Sequence, residues 1–136
     1  MLSGAQIRRH RQRGQSLLET SMMIVVIFVV VFWTFELGWI MYTYSVLADA
    51  ANEGVRYAIV QSASGGNLAG TPTIVKSFAA TSLHDVTAIT TSVTFPDGSA
   101  VPPNRVRVTV AYTYVPVLGS FAPTMKTYSE GRMVVQ

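Results

Sequence analysis

Thr20-Ser-Met-Met-Ile-Val-Val-Ile-Phe-Val-Val-Val-Phe-Trp-Thr-Phe35 is a run of sixteen residues without a charge, and it decides the fold. As a helix it spans roughly 24 Å at about 1.5 Å per residue, against about 30 Å for the hydrocarbon core of a bilayer. Leu17 and Leu18 extend the run at one end, and residues 37–48 carry no charge at the other. The sequence therefore predicts a membrane-spanning helix over about residues 17–39.

A buried core element is the alternative interpretation of this run. Its valines and isoleucines suit a buried parallel strand, but strands are usually about 4 to 8 residues long. The rest of this 136-residue chain is also too short to wrap a helix that is apolar on every side. Membrane insertion is the favoured interpretation.

The positive charge of the chain is concentrated before this segment. Residues 1–14 contain Arg8, Arg9, Arg11 and Arg13 and no acid, whereas the other residues contain six basic and seven acidic side chains, a net charge of −1. Positive residues flank membrane helices on the cytoplasmic side, so we expect a cytoplasmic N-terminus and an extracytoplasmic C-terminal part. Interfacial aromatics cluster around the far end of the segment: Trp33, Trp39, Tyr42 and Tyr44.

The composition argues against most kinds of chemistry. The absence of cysteine excludes disulfides, iron–sulfur clusters, thiolate zinc sites and a cysteine nucleophile. With two histidines, and His84-Asp85 the one His–acid neighbour pair, we expect no metal site, no cofactor, no small-molecule substrate and no enzyme activity. Arg105 and Arg107 suit a solvated strand face or a subunit contact better than a nucleic-acid site, so no nucleic acid is expected.

Three interpretations of the N-terminal segment compete. A cleaved secretory signal would use Ala48-Asp49-Ala50, but this site lies far beyond the apolar run. A permanent single-pass anchor would display the C-terminal part without cleavage. A prepilin-type leader would be removed at a glycine on the cytoplasmic side.

The third interpretation rests on Arg13-Gly14-Gln15-Ser16-Leu17-Leu18-Glu19, directly before the apolar run. This segment resembles the processing site of type IV pilins and pseudopilins. The resemblance implies that a prepilin peptidase cuts between Gly14 and Gln15, and that Glu19 pairs with the amino terminus of a neighbouring subunit during assembly. In an ordinary anchor, Glu19 would lie in the headgroup layer instead.

Two further segments narrow the resemblance. Phe35-Glu36-Leu37-Gly38 is followed by Ala48-Asp-Ala-Ala-Asn-Glu-Gly54-Val-Arg56-Tyr-Ala58, and this combination is similar to the TadE-like family, with Gly54 and Arg56 in the family motif. The resemblance implies a pseudopilin or minor pilin of a Tad (Flp) type IV pilus in the bacterial inner membrane. Its partners would be the prepilin peptidase, other pilin subunits and the assembly platform. Glu36 would face the membrane interface or a neighbouring subunit.

Beyond the apolar run the helix becomes amphipathic. One stripe is apolar at helical spacing: Ile40, Tyr44, Leu47, Ala51, Val55 and Ala58. Gly54 would allow a close approach of the following domain. We therefore expect a leader over residues 1–14, a long helix over 15–62 and a small extracytoplasmic domain over 63–136. The helix would span the membrane at about residues 17–39 and be amphipathic at about 40–62.

The C-terminal part predicts a short helix and three strands. Thr71 would cap a helix over residues 72–83 that buries Ile74, Val75, Phe78 and Ala79. Alternating patterns predict strands over residues 86–95, 105–115 and 128–135. The expected fold class is α+β: a long N-terminal pilin-like helix packed on a small domain with a short helix and a three-stranded antiparallel sheet.

Overall fold

The computed structural model describes residues 4–116 and 123–133, with side chains described from residue 14. The elements are α1 (Gly4–Ala63), a 3₁₀ turn (Leu68–Gly70), α2 (Thr71–Ala79), β1 (Ile89–Thr94), β2 (Arg105–Thr113) and β3 (Thr124–Arg132). The chain divides into two compact units, Met1–Gly38 and Trp39–Gln136. A long apolar N-terminal helix, a short helix and a three-stranded antiparallel sheet confirm the α+β class.

The sheet has the order β1-β2-β3, and both strand pairs are antiparallel. Its register places Val93 opposite Val108 and Thr109 opposite Tyr128. Because successive side chains of a strand point to opposite faces, the alternating valines of β2 form a single buried row on the inner face: Val106, Val108 and Val110. The outer face carries the charged residues of β2 and β3.

The inner face packs on the C-terminal part of α1, which we define as residues 39–63. Small side chains make this close contact possible, and the fully buried ones include Ala50, Ala51 and Ala58. At Gly54 an added Cβ would lie 2.6 Å from Cγ2 of Val75 and 3.2 Å from Cγ1 of Val108. At Gly131 of β3 an added Cβ would meet Val55 and Ile59 of the helix. Two glycines therefore let α2 and the sheet approach this helix.

The predicted stripe of α1 is wrong at Tyr44, and the observed stripe is wider, since Val46 and Ala50 are buried too. Tyr44 is about half exposed, and the adjacent Thr43 is buried instead. The Thr43 hydroxyl donates to the Trp39 carbonyl over 2.8 Å, so its burial leaves no unpaired polar group. A hydroxyl satisfied by its own helix fits against the domain where a bulky tyrosine does not.

The short helix ends earlier than predicted. It ends at Ala79 rather than near Leu83, and the Leu83 N–H donates to the Ala79 carbonyl within the turns that follow. Val75 and Ala79 are buried as expected, but Phe78 is about 40% exposed. Thr71 is the first residue of the helix and not its cap, and its buried hydroxyl has no hydrogen-bond partner among the described residues.

The third strand was predicted too late in the chain. It begins at Thr124 rather than Tyr128 and ends at Arg132. The length of β2 explains the difference, because pairing continues to the end of that strand, where Thr113 lies opposite Thr124. Val134 and Val135, which the prediction included, lie outside the described residues.

Candidate functional site

The apolar part of α1, which we define as residues 14–38, exposes its side chains on every side. All residues from Gly14 to Phe35 are exposed, and the large apolar side chains among them include Ile27, Phe28 and Trp33. Within the described residues, one helix is long and apolar enough to cross a membrane, and none of its most apolar stretch is buried. These properties are consistent with a single-pass membrane protein.

The hydroxyl groups in this part are satisfied by the helix itself. Thr20 donates to the Ser16 carbonyl and Thr34 to the Val30 carbonyl, both over 2.9 Å. Such bonds matter in lipid, where no water replaces a missing partner. These threonines therefore add little to the cost of placing the helix in a bilayer.

The predicted cleavage site lies on an accessible stretch of this helix. Gly14, Gln15 and Glu19 are all exposed, and an added Cβ at Gly14 would meet nothing within 4 Å. The side chains of the leader arginines lie outside the described residues. The helical backbone runs through the Gly14–Gln15 bond without interruption, since α1 begins at Gly4.

The two carboxylates of the apolar part lie far apart. Glu36 follows Glu19 by seventeen residues, a separation of about 25 Å along a helix, close to the thickness of a bilayer core. Glu36 is partly buried, unlike the exposed Glu19. Trp33 and Trp39 flank Glu36, and the Trp39 and Tyr42 rings lie 5.6 Å apart. The structure thus places the two acids at opposite ends of the apolar segment and does not bring them together.

The two predicted motif residues beyond the apolar part face in opposite directions. Gly54 is buried against α2 and β2, at the close approach described above. The Arg56 side chain is 79% exposed and lies 3.6 Å from the Glu53 carboxylate, one helical turn earlier. An exposed pair of this kind contributes little to stability. The glycine serves packing, whereas the arginine remains available at the surface.

A cluster of ion pairs on the outer face of the sheet was not predicted from the sequence. Arg105 donates to Asp97 over 2.8 Å and lies 3.5 Å from Glu130, which also pairs with Arg107. The hydrogen bonds from Arg105, first its side chain and then its backbone N–H, lower the pKa of Asp97 to about 2. The Arg107 guanidinium lies 4.9 Å from the ring centroid of Tyr128. These pairs became recognisable only with the strand register, which sets Arg107 opposite Glu130.

The described residues offer little for catalysis. Asp85 accepts hydrogen bonds from the hydroxyl and then the backbone N–H of Thr87, which lower its pKa, so the carboxylate is engaged in a local turn. No group of three or more metal-ligating side chains occurs within residues 14–116 and 123–133, whose side chains the structure describes. An open groove between the 3₁₀ turn and β1 is lined by Leu68, Phe95 and other residues without ionisable side chains.

Comparisons with known proteins address the N-terminal segment. Searches of curated proteins and of solved structures found no significant match. The model of the TadE-like protein family matches residues 14–56, a segment that begins at the predicted cleavage glycine and ends at Arg56. This match confirms the resemblance drawn from the sequence. In that segment the chain is similar to TadE-like proteins, which suggests a structural, minor-pilin-like protein associated with the Tad pilus.

Proposed function

We propose that the chain is a pseudopilin or minor pilin of a Tad (Flp) type IV pilus, inserted in the bacterial inner membrane with a cytoplasmic N-terminus. A prepilin peptidase removes residues 1–14, and the mature chain acts in pilus assembly with other pilin subunits and the assembly platform. The observation that carries the proposal is the family match over residues 14–56. The exposed apolar part of α1 supports it further.

The work of such a subunit is mechanical. In the membrane, lipid covers the apolar part of α1 on all sides; in a filament, other pilin helices take the place of lipid. The exchange keeps the apolar side chains out of water in both states, so it needs no unfolding of the helix. Partner helices can approach from any direction, because every side chain from Gly14 to Phe35 is exposed.

Cleavage requires a local opening of the helix at Gly14. A peptidase acts on an extended backbone, whereas α1 is continuous across the scissile bond. Glycine lowers the cost of opening, because it is about 1 kcal/mol less favourable in a helix than alanine. It also lets the backbone approach the enzyme closely.

The same continuity favours a second candidate, an uncleaved single-pass anchor that displays an extracytoplasmic binding domain. In that case Met1 remains the first residue. A secreted domain cut near Ala50 fits less well, because Ala50 and Ala51 are fully buried in a helix packed on the sheet. Cleavage there would remove the segment of α1 that carries Thr43 and Leu47 from the core.

The N-terminal residue of the mature chain in its native host tests the proposal. We expect Gln15, and we expect Gly14→Ala to leave the chain at full length, because the added methyl group obstructs the peptidase and strengthens the helix. Gly38→Ala is the matched control, since an added Cβ meets nothing within 4 Å at either position. Normal maturation of Gly14→Ala, or a wild-type chain that begins at Met1, would support the anchor instead.

The role of Glu19 is tested separately. A carboxylate at the end of a membrane helix is costly and usually functional, and here it would pair with the new amino terminus of a neighbouring subunit. Glu19→Leu should therefore leave insertion and cleavage intact but reduce the number of pili per cell. Unchanged piliation in this variant would remove the proposed role of the carboxylate.

A further inference from the structure

The C-terminal unit carries opposite net charges on its two outer surfaces. We define the sheet surface as the outward side chains of β2 and β3 together with Asp97. Its net charge is +2, because it contains two acids, Asp97 and Glu130, and four basic residues: Arg105, Arg107, Lys126 and Arg132. We define the helix surface as the exposed side of residues 39–63; its charged residues are Asp49, Glu53 and Arg56, a net charge of −1. The helix packs on the inner face of the sheet, so these surfaces lie on opposite sides of the unit.

Both surfaces carry charges that have no ion-pair partner among the described residues. On the helix surface Glu53 pairs with Arg56, which leaves Asp49. On the sheet surface the acids pair with Arg105 and Arg107, which leaves Lys126 and Arg132. A large exposed side chain lies beside Lys126 on the sheet surface: Tyr128 is 63% exposed. Exposed tyrosine and arginine side chains are typical of the energetic centres of protein interfaces.

Of these charges, Asp49 and Lys126 lie at similar heights along the helix axis. The Ser129 hydroxyl donates to the Asn52 side-chain oxygen, and Gly131 lies against Val55 and Ile59, so β3 runs in the same direction as the helix. From Ser129 to Lys126 the strand descends about 10 Å at about 3.3 Å per residue, which equals about seven residues of helix. Lys126 therefore lies near the level of Ser45, about one helical turn from Asp49, a distance that a lysine side chain spans.

We propose that the sheet surface of one copy docks on the helix surface of a second copy, with Lys126 of the first against Asp49 of the second. This inference rests on the proposed function, since copies inserted in the same orientation meet at equal heights. The charges select this pairing over the symmetric ones. Two sheet surfaces repel each other, as do two helix surfaces, whereas unlike surfaces attract. Such a head-to-tail contact repeats from copy to copy and so builds a ring or an open filament rather than a symmetric dimer.

The absence of cysteine from the chain permits a direct test. Ser45→Cys reports on the helix surface and Thr124→Cys on the sheet surface, and both positions are exposed. Full-length chains with the two variants, each with a different tag, are co-expressed and treated in native membranes with a short bifunctional thiol cross-linker. We expect mixed-tag dimers at least fivefold more abundant than same-tag dimers. Thr73→Cys on the exposed side of α2 is the matched control and should give background yield with either variant.

Charge reversal then tests the proposed pair. Asp49→Lys in the Ser45→Cys chain should lower the mixed yield severalfold, and Lys126→Asp in the Thr124→Cys chain should restore it. The inference would be overturned if the yield of mixed-tag dimers were no higher than that of the Thr73→Cys control. It would also be overturned if Asp49→Lys left the yield of mixed-tag dimers unchanged. If Gly14→Ala still blocks maturation in that case, the proposed function stands without this interface.

Discussion

The apolar part of α1 and its C-terminal part share one continuous helical backbone but differ in how they use aliphatic side chains. In the first, Ile27 and Val29 are more than half exposed, and similar residues surround the helix on all sides. In the second, Leu47 and Val55 are buried on one side, next to alanines and a glycine that let the sheet approach. Hydrophobicity alone thus does not decide burial within a protein. The presence of small residues at helical spacing distinguishes a helix that packs on its own domain from one that is left for lipid or for other helices.

The largest expected effect is on membrane integration. Val29→Arg places a charge at the middle of the apolar part and should cost about 2.5 to 3.5 kcal/mol of insertion free energy. The measurement is the fraction of chain that resists alkaline extraction from membranes, which should fall. Val60→Arg is the matched control: this valine is also exposed but lies in the C-terminal part, so the fraction should stay at the wild-type value.

A result in which both arginine variants integrate equally well would remove the distinction between the two parts. The same would follow if Val60→Arg were the more harmful substitution. Either outcome would mean that the apolar part has no special relation to the bilayer, and that its exposure is satisfied by a protein partner instead.

The second prediction concerns packing of the C-terminal part. Gly54→Val inserts a side chain where even a Cβ would lie 2.6 Å from Cγ2 of Val75, and overpacking of this kind costs about 1 to 3 kcal/mol. Gly38→Val adds the same side chain where nothing lies within 4 Å. Hydrogen exchange of the β2 amides in the full-length protein in detergent measures the difference. We expect faster exchange in Gly54→Val only.

Equal protection of β2 in the two valine variants would contradict the close approach at Gly54. In contrast, a loss in Gly38→Val alone would show that the sheet depends on the apolar part of the helix. The pair of variants thus assigns the packing function to one part of α1 or to the other.

Much of the fold could be predicted because it depends on local patterns. The uncharged run and the stripe through Leu47 and Ala58 predict the helix, and the alternating valines predict β2 from its first residue, Arg105. These signals are strong because burial imposes a strict period on each element. The family resemblance likewise depended on contiguous residues, and the family match covers most of them.

The features that were missed depend on contacts between distant residues. The start of β3 at Thr124 is set by pairing with the end of β2, which no pattern within β3 reveals. The close contact of Gly131 with Val55 and Ile59 of α1 likewise joins residues far apart in sequence. The Asp97–Arg105 pair depends on the loop that returns the chain to β2. Periodicity cannot place such partners, because it describes one element at a time.

The smallest expected effect is on how the stability of the C-terminal unit depends on pH. Such a dependence needs ionisable side chains, and the uncharged run in the apolar part has none. The pKa of Asp97 is lowered from 3.8 to about 2 by its bonds to Arg105, so this carboxylate stabilises the fold above pH 4, and the stabilisation is lost as the pH falls towards 2. The unfolding free energy of Asp97→Asn, followed by urea titration, should lie below that of the wild type at pH 6 and converge with it near pH 2. Arg105→Gln removes the partner of Asp97, so this variant should also be less stable than the wild type at pH 6, and the difference should shrink as the pH falls towards 2. Parallel curves for all three proteins would show that the pair adds nothing, and that the unit is held by its apolar contacts with α1 alone.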